Sequence, residues 1–131
     1  MKHFIRAIAA VALALGVGVA SAQKAPDTSR AAPAAAFVNY CMNHGDISRS
    51  PNPAAECACG AGVLSGHMND RQYQIMGRLT PFTGNQTAMV GEVRTMVGEG
   101  YSGDEIRDVG QMMTGLADEV SATCTGIAAS P

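Results

Sequence analysis

The sequence predicts an all-α fold: a small bundle of four to five short helices stapled by two disulfides, after a cleaved signal peptide and a short disordered leader. Three observations predict it. Past position 33, apolar residues recur at steps of three and four, and no segment alternates convincingly as a strand. Capping residues and helix stops divide that pattern into short pieces. Four cysteines, an even set, stand in a chain of 131 residues that opens like an exported protein.

The opening reads MKHFIRAIAAVALALGVGVASAQ. Lys2 and Arg6 make a positive start, Ile8 to Val19 an apolar run, and Ala20-Ser21-Ala22 a small-x-small cleavage site. Residues 1–22 therefore read as a secretory signal peptide cut after Ala22, with a periplasmic or secreted bacterial product. The apolar run falls short of the ~20 residues a spanning helix needs, and Gly16 and Gly18 weaken it, so no stable membrane anchor is expected. Of the 9 basic residues, Lys2 and Arg6 leave with the signal; the remaining seven face 11 acidic ones, a net charge of −4. That balance argues against nucleic acid, which wants a basic face. The remaining aromatics are Phe37, Tyr40, Tyr73, Phe82 and Tyr101, with no Trp, so the core is thin and calls for staples.

Residues 23–32 (QKAPDTSRAA) are polar, without an apolar period, and read as a disordered leader; a single helical domain follows over 33–128. Pro33 stands in the first turn of a helix that puts Phe37, Tyr40, Cys41 and His44 on one face. The segment GDISRSPN breaks it. Asn52 caps and Pro53 opens a second helix that runs to about His67, although Gly60, Gly62 and Gly66 each cost roughly 1 kcal/mol against Ala. Asn69 caps a third, DRQYQIMGRL, with Tyr73, Met76 and Leu79 inward, and TPFTGN ends it. A fourth, from about Gln86 to Glu99, groups Met89, Val93, Met96 and Val97, with Gly100 as a left-handed stop. Ser102 and Glu105 form a capping box for the fifth, and Asp104, Glu105 and Asp108 complement its positive end. In that helix Ile106, Val109, Met113, Leu116, Val120 and Cys124 recur at helical spacing.

The stretch AAECACGAGVLSGHM decides what the cysteines are for. Successive helical residues turn about 100°, so Cys57 and Cys59 point some 200° apart and cannot bond each other or grip one metal. Each needs its own partner, and Cys41 and Cys124 remain. Cys41–Cys57 with Cys59–Cys124 is the preferred pairing; Cys41–Cys59 with Cys57–Cys124 is the alternative. By loop entropy the preferred bonds stabilise by roughly 3 and 4 kcal/mol. A thiol oxidoreductase using Cys57 and Cys59 is a weaker reading, since no thioredoxin-like strand pattern precedes them.

Met42, His44, His67 and Met68 are the residue types of a copper carrier, the alternative to a protein-binding role. Placed on helices, however, His44 and His67 stand about 16 Å apart, at opposite ends of the second helix. Met76, Met89, Met96 and Met113 fall at core spacing, where Met is an adaptable filler. Gly62 and Gly66 suggest close helix packing beside the staples, and Asn85-Gln86-Thr87 is a glycosylation sequon. No nucleophile-plus-base pattern, metalloprotease motif or phosphate loop appears, so no catalytic residue, cofactor or resident metal is expected.

These readings lead to a non-enzymatic exported helical protein whose partner is another exported protein, in the manner of a stress chaperone, inhibitor or immunity-type protein. A periplasmic small-ligand or copper carrier is the second expectation. The loop GDISRSPNP and the turn TPFTGN, with Phe82, are the expected contact surfaces.

Overall fold

A computed structural model describes residues 29–127. The expected signal peptide, most of the expected leader and residues 128–131 lie outside them. The described chain is all-helical, with no strand among its residues: α1 Ala31–Asn43, a 3-10 turn Gly45–Arg49, α2 Pro53–His67, α3 Asp70–Leu79, a 3-10 turn Thr80–Phe82, α4 Gln86–Gly98 and α5 Gly103–Cys124.

Local chemistry sets these boundaries. The side chains of Asn52, Asn69, Asn85 and Ser102 accept hydrogen bonds from Ala55, Gln72, Ala88 and Glu105 N–H, satisfying donors that the first turn leaves open. Asn69 with Gln72 and Ser102 with Glu105 complete reciprocal capping boxes. Gly84 and Gly100, at φ of 83° and 103°, turn the chain on either side of α4.

The leader ends earlier than the sequence suggests. Helix α1 begins at Ala31, and Arg30, expected in a disordered stretch, is fixed across α2 and α3. Its Nη1 donates to Ser65 O at 2.6 Å and Ser65 Oγ at 2.7 Å, its Nη2 to Met68 O at 2.9 Å, and its Nε to Asp70 Oδ1 at 2.9 Å. The guanidinium thereby serves carbonyls at the end of α2 that have no helical partner.

Two disulfides staple the remainder. Cys41–Cys57 closes α1 onto α2 across 16 positions, and Cys59–Cys124 ties the end of α5 to the first half of α2 across 65. Among the described residues no cysteine is free. Such bonds belong to an oxidising compartment, and no helix here is long and apolar enough to cross a membrane.

The buried core joins Leu64 and Met68 of α2 and its C-cap, Tyr73, Ile75, Met76 and Leu79 of α3, Met96 of α4, and Ile106 and Val109 of α5. Phe37, Met89, Val93, Tyr101, Met112, Met113, Leu116 and Val120 pack around it. The Tyr73 hydroxyl donates to Ala61 O at 2.9 Å, so the one large polar tip in this core is satisfied. Desolvation raises the Tyr73 pKa, with nearby Arg30 opposing it.

Two glycines permit close helix approach, but not the pair expected. A Cβ on Gly60 would stand 3.0 Å from the Phe37 ring, and one on Gly77 would stand 2.5 Å from Pro33. Gly62 and Gly66 face open space, so their G-x-x-x-G spacing packs against nothing. Val97 also departs from expectation: Met96, one position earlier, is fully buried, and Val97 is 49% exposed.

Candidate functional site

Helix α3 carries two arginines seven residues apart, Arg71 and Arg78, on the face that meets α4 and the start of α5. Arg71 is paired with Glu105, donates through Nη2 to Gly100 O at 3.2 Å, and lies 4.3 Å over the Tyr101 ring. The hydrogen bond from Arg71, aided by the Ser102 backbone N–H, lowers the Glu105 pKa from 4.5 to about 2. Arg78 reaches two carboxylates, Glu92 of α4 and Glu99 at its C-cap, which also stand seven residues apart. Its Nε donates to Glu92 Oε1 at 2.6 Å, and its Nη1 is paired with Glu99. Bonding to Glu99 raises the Arg78 pKa against the opposing desolvation, and Glu92 adds to the rise.

The buried cluster of the bundle is rich in methionine. Met96 and Met76 are fully buried, and Met89 and Val93 pack against the cluster containing Ile75, Met76, Leu79, Ile106 and Val109. The Thr80 hydroxyl, also buried, donates to Met76 O at 2.7 Å and lies 3.4 Å from its sulfur. Helix α4 thus turns an apolar stripe and two acids toward the bundle. Its outward residues include the exposed Val90 and Val97.

The four cysteines form two separate bridges, and Cys57 and Cys59 go to different helices. Neither thiol of that pair is available for exchange while the bridges hold. Met42, His44, His67 and Met68 are not brought together. His44 stacks on Tyr40, with ring centroids 4.1 Å apart, and its Nδ1 lies 2.9 Å from Tyr40 O. His67 Nε2 meets Glu119 at 3.0 Å. Met42 is exposed and Met68 is buried. Since Arg30 contacts the end of α2, His44 lies about 20 Å away, at the far end of α1, by helical rise. Among the described residues no three His, Cys, Asp or Glu gather as a metal site.

The carboxylates of α5 do not form a pair either. Asp104 meets Arg107 at 3.0 Å, while Glu105 belongs to Arg71. The expected contact loops are only partly exposed: Thr80 is buried and Phe82 half-buried. The loop after α1 lines an open depression of about 500 Å³ with Ile47, Arg49, Ser50, Pro51, Glu56, Thr125 and Gly126. Its Glu56 accepts the Gly126 N–H at 2.8 Å, which anchors the end of the described chain.

Sequence reasoning missed the Arg78 pairs and the Arg30 clamp. Glu92 and Glu99 at i and i+7 on the same side as Met89 and Met96 were the available signal. The chain matches no protein-family model, no curated protein and no solved structure.

Proposed function

We propose that this chain is a non-enzymatic, exported protein-binding module that offers an adaptable, methionine-lined surface to another exported protein. One observation carries the reading: both disulfides join α1, α2 and α5, and neither reaches α3 or α4. The side built from α3 and α4 holds Met76, Met89 and Met96 with side-chain contacts alone. Thioether side chains re-pack at low cost, which suits a surface that must fit partners of varied shape. The charged groups support a structural role as well. Arg30–Asp70, Arg71–Glu105, Arg78–Glu92 and His67–Glu119 each tie one helix or its cap to another.

The test is retention. The mature chain, immobilised with its disulfides intact, is exposed to the exported fraction of its own cell at about pH 7 and again near pH 4.5, where carboxylates begin to protonate. The reading expects the same exported protein in repeated eluates, in near-stoichiometric amount. Retention of nothing at either pH would sink it.

A further inference from the structure

We infer that α4 is a lid, and that the groove beneath it takes an amphipathic helix of a partner protein with apolar residues at i, i+4 and i+7 and a carboxylate at i+3. The inference deepens the protein-binding reading and rests on it.

The occupant is specified by what fills the groove in the closed molecule. Met89, Val93 and Met96 supply the apolar stripe at i, i+4 and i+7, and Glu92 at i+3 meets Arg78. A partner helix with the same pattern reproduces the apolar contacts and the Glu92–Arg78 pair that α4 gives up. Recognition of this kind, an apolar helix face laid in a groove, is a recurring mode of protein binding. Once α4 leaves, Arg78 loses both of its carboxylates. The opened groove therefore presents one cation at its edge and an apolar floor, and so favours an acidic amphipathic helix over a basic one.

Four features make α4 the element that moves. It lies outside both disulfides, which join α1 to α2 and α2 to α5. It is bracketed by Gly84 and Gly100, both at positive φ, where the backbone turns without a side chain to obstruct it. Its own helical preference is poor. Of 13 residues, Thr87, Val90, Val93, Thr95 and Val97 are β-branched and Gly91 and Gly98 are glycine, so it depends on its seat to stay helical. Of its residues only Met96 is buried, so few fully buried contacts hold it in its seat.

The probe is a fluorescent, end-blocked peptide of residues 85–99, offered in trans to the wild-type mature protein and to Glu92→Gln/Glu99→Gln. The double substitution weakens the lid in cis while the peptide keeps its carboxylates. Two partly exposed ion pairs set the expected gain: the variant binds the peptide about five- to tenfold more tightly than wild type. A peptide with Met89, Val93 and Met96 replaced by Ser does not bind. Amide hydrogen exchange of both proteins supplies a second measure. Residues 86–98 exchange faster than α2 and α5 in wild type, and faster again in the folded variant.

No saturable peptide binding, equal binding to both proteins, or equal binding of the Ser peptide overturns the lid. A concentration-dependent dimer of the variant, with the α4 of a second copy in the groove, overturns the assignment to a different protein. An exported partner that the peptide fails to displace overturns the groove and leaves the protein-binding reading standing. Peptide binding by a chain that retains no exported protein does the reverse.

Discussion

Pro33 and Gly77 meet so closely that no methyl group fits between them: a Cβ on Gly77 would fall 2.5 Å from both the Cα and the Cβ of Pro33. Ala at 77 gains about 1 kcal/mol in helix propensity. The obstruction is backbone, which cannot rotate aside, so overpacking outweighs that gain. Gly77→Ala is expected to lower stability by about 1–3 kcal/mol. Gly62→Ala, on an exposed helical position with open space around it, is expected to raise stability by roughly 0.5–1 kcal/mol. Urea midpoints of the two variants check both signs. A Gly77→Ala protein as stable as wild type would mean that α1 does not pack on α3 here.

Arg30 fastens the start of α1 to α2 and α3 with a planar fork that Lys cannot imitate. Arg30→Ala leaves the Ser65 and Met68 carbonyls without this donor, and Arg30→Lys recovers at most one of the contacts. The expected loss is about 1.5–3 kcal/mol for Ala, from charge-assisted hydrogen bonds at a half-exposed site. Chemical denaturation compares the two variants, and full rescue by Lys would rule out the fork.

Glu105 gives the fold a pH dependence of known sign. Its pKa is depressed from 4.5 to about 2 by Arg71. The stabilisation is therefore fully present above about 4.5 and is lost as the pH falls through about 2. Glu105→Gln keeps an acceptor for the Ser102 N–H and loses the charge that Arg71 meets. The variant should be less stable than wild type near pH 7 and converge on it near pH 2, as read by urea unfolding across that range. Parallel curves would show that Arg71 does not hold this carboxylate.

The two bridges differ in the length of chain they constrain, 16 positions against 65. Alkylation without reductant followed by a peptide map should find all four cysteines blocked, with Cys57 and Cys59 in separate peptides. Replacing both cysteines of a bridge by Ala should cost about 3 kcal/mol for Cys41–Cys57 and about 4 kcal/mol for Cys59–Cys124. A Cys57–Cys59 bond would contradict the helix through both residues.

Copper is expected to leave the melting temperature unchanged in the disulfide-bonded protein. His44 and His67 stand at opposite ends of the α1–α2 hairpin, one stacked on Tyr40 and the other paired with Glu119. Thermal melts with Cu(I) and Cu(II) check this. A shift that His44→Ala abolishes would restore the carrier reading.

What was legible in the sequence is what neighbours in sequence decide. Asn52, Asn69 and Ser102 cap their own first turns, so three helix starts follow from local chemistry. Asn85, which reads in the sequence only as part of a sequon, caps α4 in the same way. The opposed directions of Cys57 and Cys59 follow from helical geometry in the same way. Arg30 was not legible because its acceptors lie 35 to 40 positions away, and nothing within the leader points at them. The sequence pattern turns Val97 inward because i+4 from Val93 is as good a helical step as i+3. Only the placement of α4 on α3 selects Met96 instead. Gly77 carries no local signal of its use, which depends on Pro33, 44 positions earlier. For the candidate groove, the apolar stripe of α4 was visible. The partner of its two acids, Arg78, belongs to another helix and required the fold.

The long disulfide has a consequence for protease resistance. Helices α3 and α4 both lie within the segment closed by Cys59–Cys124. A cut anywhere in that segment, including the glycine turns beside α4, leaves the two pieces covalently joined. The nicked molecule gains the mass of one water and travels as a single species until a reductant is added. Digestion that looks complete on a reducing gel then corresponds to an intact particle in the compartment where the chain is oxidised.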